Sequence, residues 1–277
     1  YRGCHSTKSA PPRGWLELPS NKLTEITSYR NEAFFKSPSQ TKLYCPFYFH
    51  LHQERLEVMQ GPTSHIYYSQ RLRLHYVDWG NPKAPPMILI HGGRDHCRNW
   101  DWVAERFRHN YHIIAPDLRG HGDSQWMIGG SYNQIDYVYD IAQLLDQKEM
   151  SPVTIIGHSL GGSISLLYTA LYPETVKDLI SIEGMGPPPS MMEDRLNQPM
   201  SDRLDFWIKD LRKLSSRLVK KYETLEEAYQ RMQNENPHLS EEQARHLTIH
   251  GSTQNEDGTF SWKFDNYVRT FPPTGIP

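Results

Sequence analysis

The sequence is short of cysteine, of long apolar runs and of net charge, and each shortage removes a class of protein. Cys4, Cys45 and Cys97 are the 3 cysteines in 277 residues, too few for a disulfide framework and an odd number besides. A reducing, intracellular compartment is expected, with the cytoplasm favoured. No apolar stretch approaches the about 20 residues that cross a bilayer; Leu43 to Leu51 is short and is broken by Pro46. A net charge of -2 carries no electrostatic footprint for nucleic acid or an anionic membrane surface. The sequence also lacks His-Glu-x-x-His, and the spacing of His91, Asp95 and His96 matches no common metal site, so neither metal nor cofactor is expected. His50 and His52 read as an exposed polar stretch, and the basic run Arg212, Lys213, Arg217, Lys220 and Lys221 as a solvated helix face among Asp202, Asp205, Asp210 and Glu223. Acids are missing before Glu17, where Arg2, Lys8 and Arg13 stand among Ser and Thr. That composition resembles an organelle transit peptide and makes a mitochondrial address the alternative.

What is present is a series of short apolar runs, each ending in a glycine-containing loop. Val153-Thr154-Ile155-Ile156 leads directly into Gly157-His158-Ser159-Leu160-Gly161. A serine on a sharp strand-to-helix bend presents its hydroxyl above the sheet, and small residues two positions to either side let neighbouring backbone approach. The helix that must follow is readable in Ser163 to Leu171, ended by Pro173. Ser159 therefore reads as a nucleophile of the esterase type. Met87 to Ile90 is a second buried-strand run and ends in His91-Gly92-Gly93; His112 to Pro116 is a third and runs into Asp117-Leu118-Arg119-Gly120-His121-Gly122-Asp123-Ser124. Arg71 to Val77 alternates as a half-exposed antiparallel strand, with Ile66-Tyr67-Tyr68 as its hairpin partner. Trp100 to Arg108 and Ile135 to Leu145 carry helical spacing, the second through Ile135, Val138, Ile141 and Leu145. Strands alternating with helices predict a mostly parallel α/β sheet with helices on both faces, and a ligand site beyond the carboxyl ends of its strands.

These three motifs, in this order and spacing, resemble the α/β-hydrolase superfamily, in its serine-dependent, cap-bearing branch; the likeness runs from about Ser64 to Phe271. Serine at 159 distinguishes the chain from the epoxide hydrolase and haloalkane dehalogenase branches, which place aspartate there. The resemblance implies an oxyanion hole formed by the backbone N-H groups of Gly93 and Leu160. It also implies a catalytic acid, and Glu183, directly after the expected strand Asp178 to Ile182, holds a position used by some relatives; its alternative is a loop cap or an ion pair with Arg94 or Arg119. The family's last strands and the histidine that follows them have no counterpart before Pro277, so the chain is expected to be a fragment without the usual base. His238, His246 and His250 fall on expected cap helices with solvated roles, and only His91, His96 and His158 are expected to approach Ser159.

Three segments follow. Residues 1–62 are an extension with little fold of their own, 63–186 the hydrolase core, and 187–277 a helical cap and the start of a return to the core. Thr224 to Glu227 and Ser240 to Gln243 both fit capping boxes within that cap. The expected activity is cleavage of a small, mainly apolar ester or related acyl substrate through an acyl-enzyme, with Trp207, Phe206, Met191, Met192 and Trp262 as candidate substrate contacts. The alternative is a hydrolase-fold protein that binds a ligand without turnover.

Overall fold

The computed structural model describes residues 61–186 and 188–273. The expectations for the N-terminal extension, for Cys4 and Cys45, and for His50 and His52 lie outside the described residues. Six strands form one sheet: β1 (Thr63–Ser69), β2 (Leu72–Asp78), β3 (Pro86–Ile90), β4 (His112–Pro116), β5 (Val153–His158) and β6 (Val176–Ile182), in the order β1-β2-β4-β3-β5-β6. β1 pairs with β2, and β2 with β4, antiparallel; the β3–β4, β3–β5 and β5–β6 pairs are parallel. Between β3 and β5 the chain order changes direction, which leaves a crevice at their carboxyl ends. The loops carrying Gly93 and Ser159 both start there.

Both faces of the central strands are covered, as a parallel sheet requires. On β3, Ile88 and Ile90 join the core beneath α2 (Gln134–Gln147) and α3 (Leu160–Leu171), whereas Met87 and Leu89 face Cys97, Trp100 and Ala104 at α1 (Asp101–Phe107). A 3-10 turn over Cys97–Trp100 precedes α1, which falls within the helix expected over Trp100 to Arg108, with Trp100 itself closing the 3-10 turn. On α2 the expected stripe is buried at Val138, Ile141 and Leu145, with Tyr137 and Leu144 beside it, but Ile135 is exposed. Ile135 stands in the first turn, where the Asn133 side chain caps the helix by accepting from the Asp136 N-H, and the stripe begins one turn later. At the outer strand β6, Ile180 and Ile182 remain exposed.

Beyond β6 the chain forms α4 (Pro189–Asn197), α5 (Met200–Ser215), α6 (Leu225–Glu235) and α7 (Glu241–Gly251), then a hairpin of β7 (Ser252–Gln254) and β8 (Phe260–Trp262). Ser240 and Gln243 close a full capping box on α7. Thr224 caps α6 through the Glu227 N-H, but the Glu227 carboxylate accepts from Glu223 N-H instead, so the second expected box is half made. The chain after β8 packs back on the core: Asp265 N-H donates to Gly120 O at 2.9 Å, Tyr132 Oη to Asp265 Oδ2 at 2.8 Å, and Lys263 pairs with Asp123 at 2.7 Å.

The loop after β4 is anchored by two buried carboxylates. Arg119, fully buried, donates from Nε and Nη2 to both oxygens of Asp140 at 2.6 Å. Removing one partner of such a pair leaves an uncompensated charge in the core, so Arg119→Ala is expected to cost about 3–5 kcal/mol. A urea midpoint unchanged from the parent would contradict this. Asp117 accepts from His75 Nδ1 and from the Cys97 and Asp123 N-H groups. Burial alone would raise its pKa, but the His75 hydrogen bond and charge outweigh that and hold it well below the usual carboxylate range.

Candidate functional site

Ser159 occupies the bend between β5 and α3, half-buried, with φ 51° and ψ -115°. This conformation is costly for a side chain other than glycine and is set from both sides. Ser159 N-H donates to Ile182 O at 2.8 Å on β6, and Ser159 O accepts from Ser163 N-H at 3.0 Å in the first turn of α3. Side chains are excluded from the flanking positions: a Cβ at Gly157 would lie 2.5 Å from Gly161 O, and one at Gly161 would lie 2.3 Å from Ile90 O. The close approach of α3 to the end of β3 therefore needs hydrogen at both sites.

The loop after β3, the bend and the end of β6 lie together, and with them the four expected site residues. Gly93 lies in the loop after β3, and a Cβ placed on it would be 3.9 Å from Leu160 Cδ2; one on Gly92 would be 3.4 Å from Ser159 Cβ. Glu183 directly follows Ile182, whose carbonyl takes the Ser159 N-H. Among the described residues neither Gly93 N-H nor Leu160 N-H donates to a protein group; for Leu160 this is ordinary at the start of a helix, whereas Gly93 stands in a turn. Arg94, Ser159 and Glu183 all have positive φ, at 64°, 51° and 54°, so strained backbone is concentrated at this corner of the sheet. Glu183 is exposed and makes no ion pair among the described residues. The alternative partner Arg119 is committed to Asp140 and, at 3.5 Å, to Asp136.

His91 and His158 flank the bend as expected, and the departures lie on α7. His91 is a brace: its Nε2 accepts from Leu118 N-H at 3.0 Å, which leaves Nδ1-H to donate to Gly92 O at 2.6 Å. Burial, then repulsion from His121, lowers its pKa to about 3, so it stays neutral. His158 packs over Gly92, whose Cβ position is 3.0 Å from its Nδ1. His96 is buried against α7, its Nε2 donating to Leu247 O at 3.2 Å. No imidazole among the described residues hydrogen-bonds the Ser159 hydroxyl. His246 and His250 are not solvated as expected. They pack on the 98–102 segment, His246 Nε2 lying 3.0 Å from Asp101 Oδ2 and its ring 4.7 Å from that of Trp102.

Beside this corner opens a cavity of about 870 Å³, lined by Gly93 and His158 on the core side and by α6, α7 and the 217–222 and 262–269 segments opposite. Of the candidate substrate contacts whose side chains are described, Trp262 lines it and Met191 and Phe206 are exposed elsewhere. The residues that sequence reasoning missed are basic. α5 ends at Ser215, so Arg217 and Lys220 lie in the irregular segment after it and, though exposed, line the cavity instead of standing on a helix. Their spacing carried no signal, because a charge run reads alike on a helix and on a strap over a cleft.

Comparison with known proteins agrees with this geometry. The family model described as alpha/beta hydrolase fold matches residues 85–272. A serine hydrolase-like protein of Danio rerio is 24% identical over 191 residues, 68% of this chain and 57% of that protein. Epoxide hydrolase 4 of Homo sapiens is 37% identical over 117 residues, 42% of this chain and 32% of the relative. The chain thus spans between about a third and somewhat over half the length of these relatives. Among solved structures, the thioesterase domain from the curacin biosynthetic pathway superposes with a TM-score of 0.69 at 23% identity, covering 78% of this chain and 75% of that one. With the family model matching well over half the residues and the sheet order, the crevice and the strained serine in place, this chain belongs to the alpha/beta hydrolase fold family.

Proposed function

We propose that the protein is a serine hydrolase that cleaves an ester or related small acyl substrate by two-step acyl transfer. The observation that carries this is Ser159, held at positive φ on a strand-to-helix bend by backbone bonds to β6 and α3. In this reading the Ser159 hydroxyl attacks the acyl carbon, and the Gly93 and Leu160 N-H groups, which no protein acceptor takes among the described residues, receive the oxyanion. Each lost oxyanion donor typically costs on the order of a hundred- to a thousandfold in rate. Glu183 is assigned as the acid that orients the base, and the exposed carboxylate next to Ile182 supports it. The described residues supply no base on Ser159, so the assignment leaves proton removal to an imidazole outside them. Helices α6 and α7, with the 217–222 segment before them and the 262–269 segment after, act as a cap over the cavity.

Serine at this bend supports acyl chemistry over the alkyl attack that an aspartate would make. A fluorophosphonate probe tests the reading: the whole protein should be labelled, and Ser159→Ala should abolish the labelling. Glu183→Gln should lower kcat about a hundredfold or more with little change in KM; unchanged turnover would remove the assigned acid. The unaccompanied Ser159 hydroxyl favours a second reading, a hydrolase-fold protein that binds its ligand without turnover. Full-chain protein that binds small esters but neither labels nor hydrolyses would support that reading instead.

A further inference from the structure

We infer that the cavity beside Ser159 recognises an anionic group on its ligand, held by Arg217 and Arg269 with Arg94 at the rim, so that the preferred acyl substrate carries a carboxylate or phosphate away from the bond that is cut. The inference deepens the serine-hydrolase reading and rests on it for the word substrate; the anion site itself stands on the cavity. Positive charge in a cleft focuses the field inward and concentrates anions there.

The charges around the cavity are unbalanced. Two of its cations are already matched: Lys263 pairs with Asp123, and Arg231 with Glu235. Arg94, Arg217, Lys220 and Arg269 also line it, and among the described residues none of them reaches a carboxylate. The remaining acid in the wall, Asp95, is engaged by His96 N-H and by the Asn99 side-chain amide, and burial raises its pKa. Arg269 lies over the Phe264 ring at 5.7 Å and feels the charge of Glu235, but Glu235 is paired with Arg231, so positive charge stays in excess around the cavity. Desolvation, then the charges of Arg94 and Arg217, lowers the pKa of Arg269 against the opposing charge of Glu235. Guanidinium groups from separate segments converging on one space are placed to take a planar or tetrahedral oxyanion through forked N-H donors. The apolar parts of the wall, Met232, Leu239, Leu247 and Trp262, suit the chain linking that anion to the acyl carbon. This departs from the mainly apolar substrate expected from the sequence.

The test pairs p-nitrophenyl hemiglutarate with its methyl ester, which differ by one charge, using the whole protein. The ratio of kcat/KM should favour the anion by about tenfold or more, mostly through KM. In Arg217→Gln and Arg269→Gln the ratio should fall toward one, and Arg217→Lys should retain part of it. A ratio near one in the parent, or a ratio untouched by both glutamine variants, would overturn the inference. Titration calorimetry with glutarate, and separately with inorganic phosphate, reads binding without turnover. Tighter binding of glutarate assigns a carboxylate, tighter binding of phosphate assigns a phosphorylated acyl group, and loss of binding of either in both variants supports the site. Binding of an anion by a protein that hydrolyses neither ester would uphold the anion site while contradicting the serine-hydrolase reading. Hydrolysis of both esters without anion binding would do the reverse.

Discussion

Replacing Ser159 by glycine is expected to make the protein more stable and inactive. The residue stands at φ 51° and ψ -115°, a region that costs a residue with a Cβ on the order of 1–3 kcal/mol. Glycine enters it without steric cost, although it gives back part of the gain as unfolded-state entropy. A net rise of about 1 kcal/mol in unfolding free energy follows, read as a higher urea midpoint at constant slope. Turnover of esters should fall by about 10⁴-fold or more, because the attacking oxygen is gone while the oxyanion donors stay. Strain kept at a serine whose removal stabilises the fold marks a residue retained for chemistry. A variant that is both less stable and equally active would identify Ser159 as a structural residue.

Stability should fall steeply between pH 6.5 and 5. His91 and His121 are buried and meet edge to face with ring centroids 5.2 Å apart, and burial lowers their pKa values to about 3 and about 4 from the ordinary 6.5. Below pH 6.5 the unfolded chain takes up protons that the folded core refuses, so stability is lost as pH falls until the folded values are reached. Each imidazole contributes about 1.4 kcal/mol per pH unit within that window, and the pair together on the order of 4 kcal/mol by pH 5. Asp117 does not add to this slope. Its folded pKa is depressed, so its contribution is intact above the ordinary carboxylate range and is lost only as pH falls through that range toward its folded value. Urea midpoints at pH 6.5 and 5 measure the effect, and His121→Gln should reduce the slope. A flat profile would mean that the two rings are hydrated in solution.

The strands and the bend were legible in the sequence because their signals are local. Strand runs such as Val153 to Ile156 and Met87 to Ile90 are made for burial on both faces, and Gly157 and Gly161 are required because a Cβ there would lie under 3 Å from neighbouring backbone. The side-by-side order of the strands is a different matter, because the motifs do not state which strands pair, and only the hydrogen-bonded ladders place β3 between β4 and β5. What stayed illegible is set by tertiary contact. His246 and His250 show an i, i+4 pair whichever way the helix faces, and only the packing of α7 on α1 turns them toward Asp101. Arg217 and Lys220 look like any solvated charges until the end of α5 at Ser215 puts them in the cavity wall. Ile135 fitted the apolar spacing of α2, yet the stripe starts a turn after the Asn133 cap.

The central claim is that the Ser159 oxygen is the atom that becomes acylated. Intact-mass spectrometry of the whole protein, quenched in acid during turnover of a p-nitrophenyl ester and followed by peptide mapping, reads it directly. The account predicts a mass increase of one acyl group, confined to the peptide containing Ser159 and absent in Ser159→Gly. An adduct on another residue during active turnover, or steady hydrolysis in the glycine variant, would contradict it.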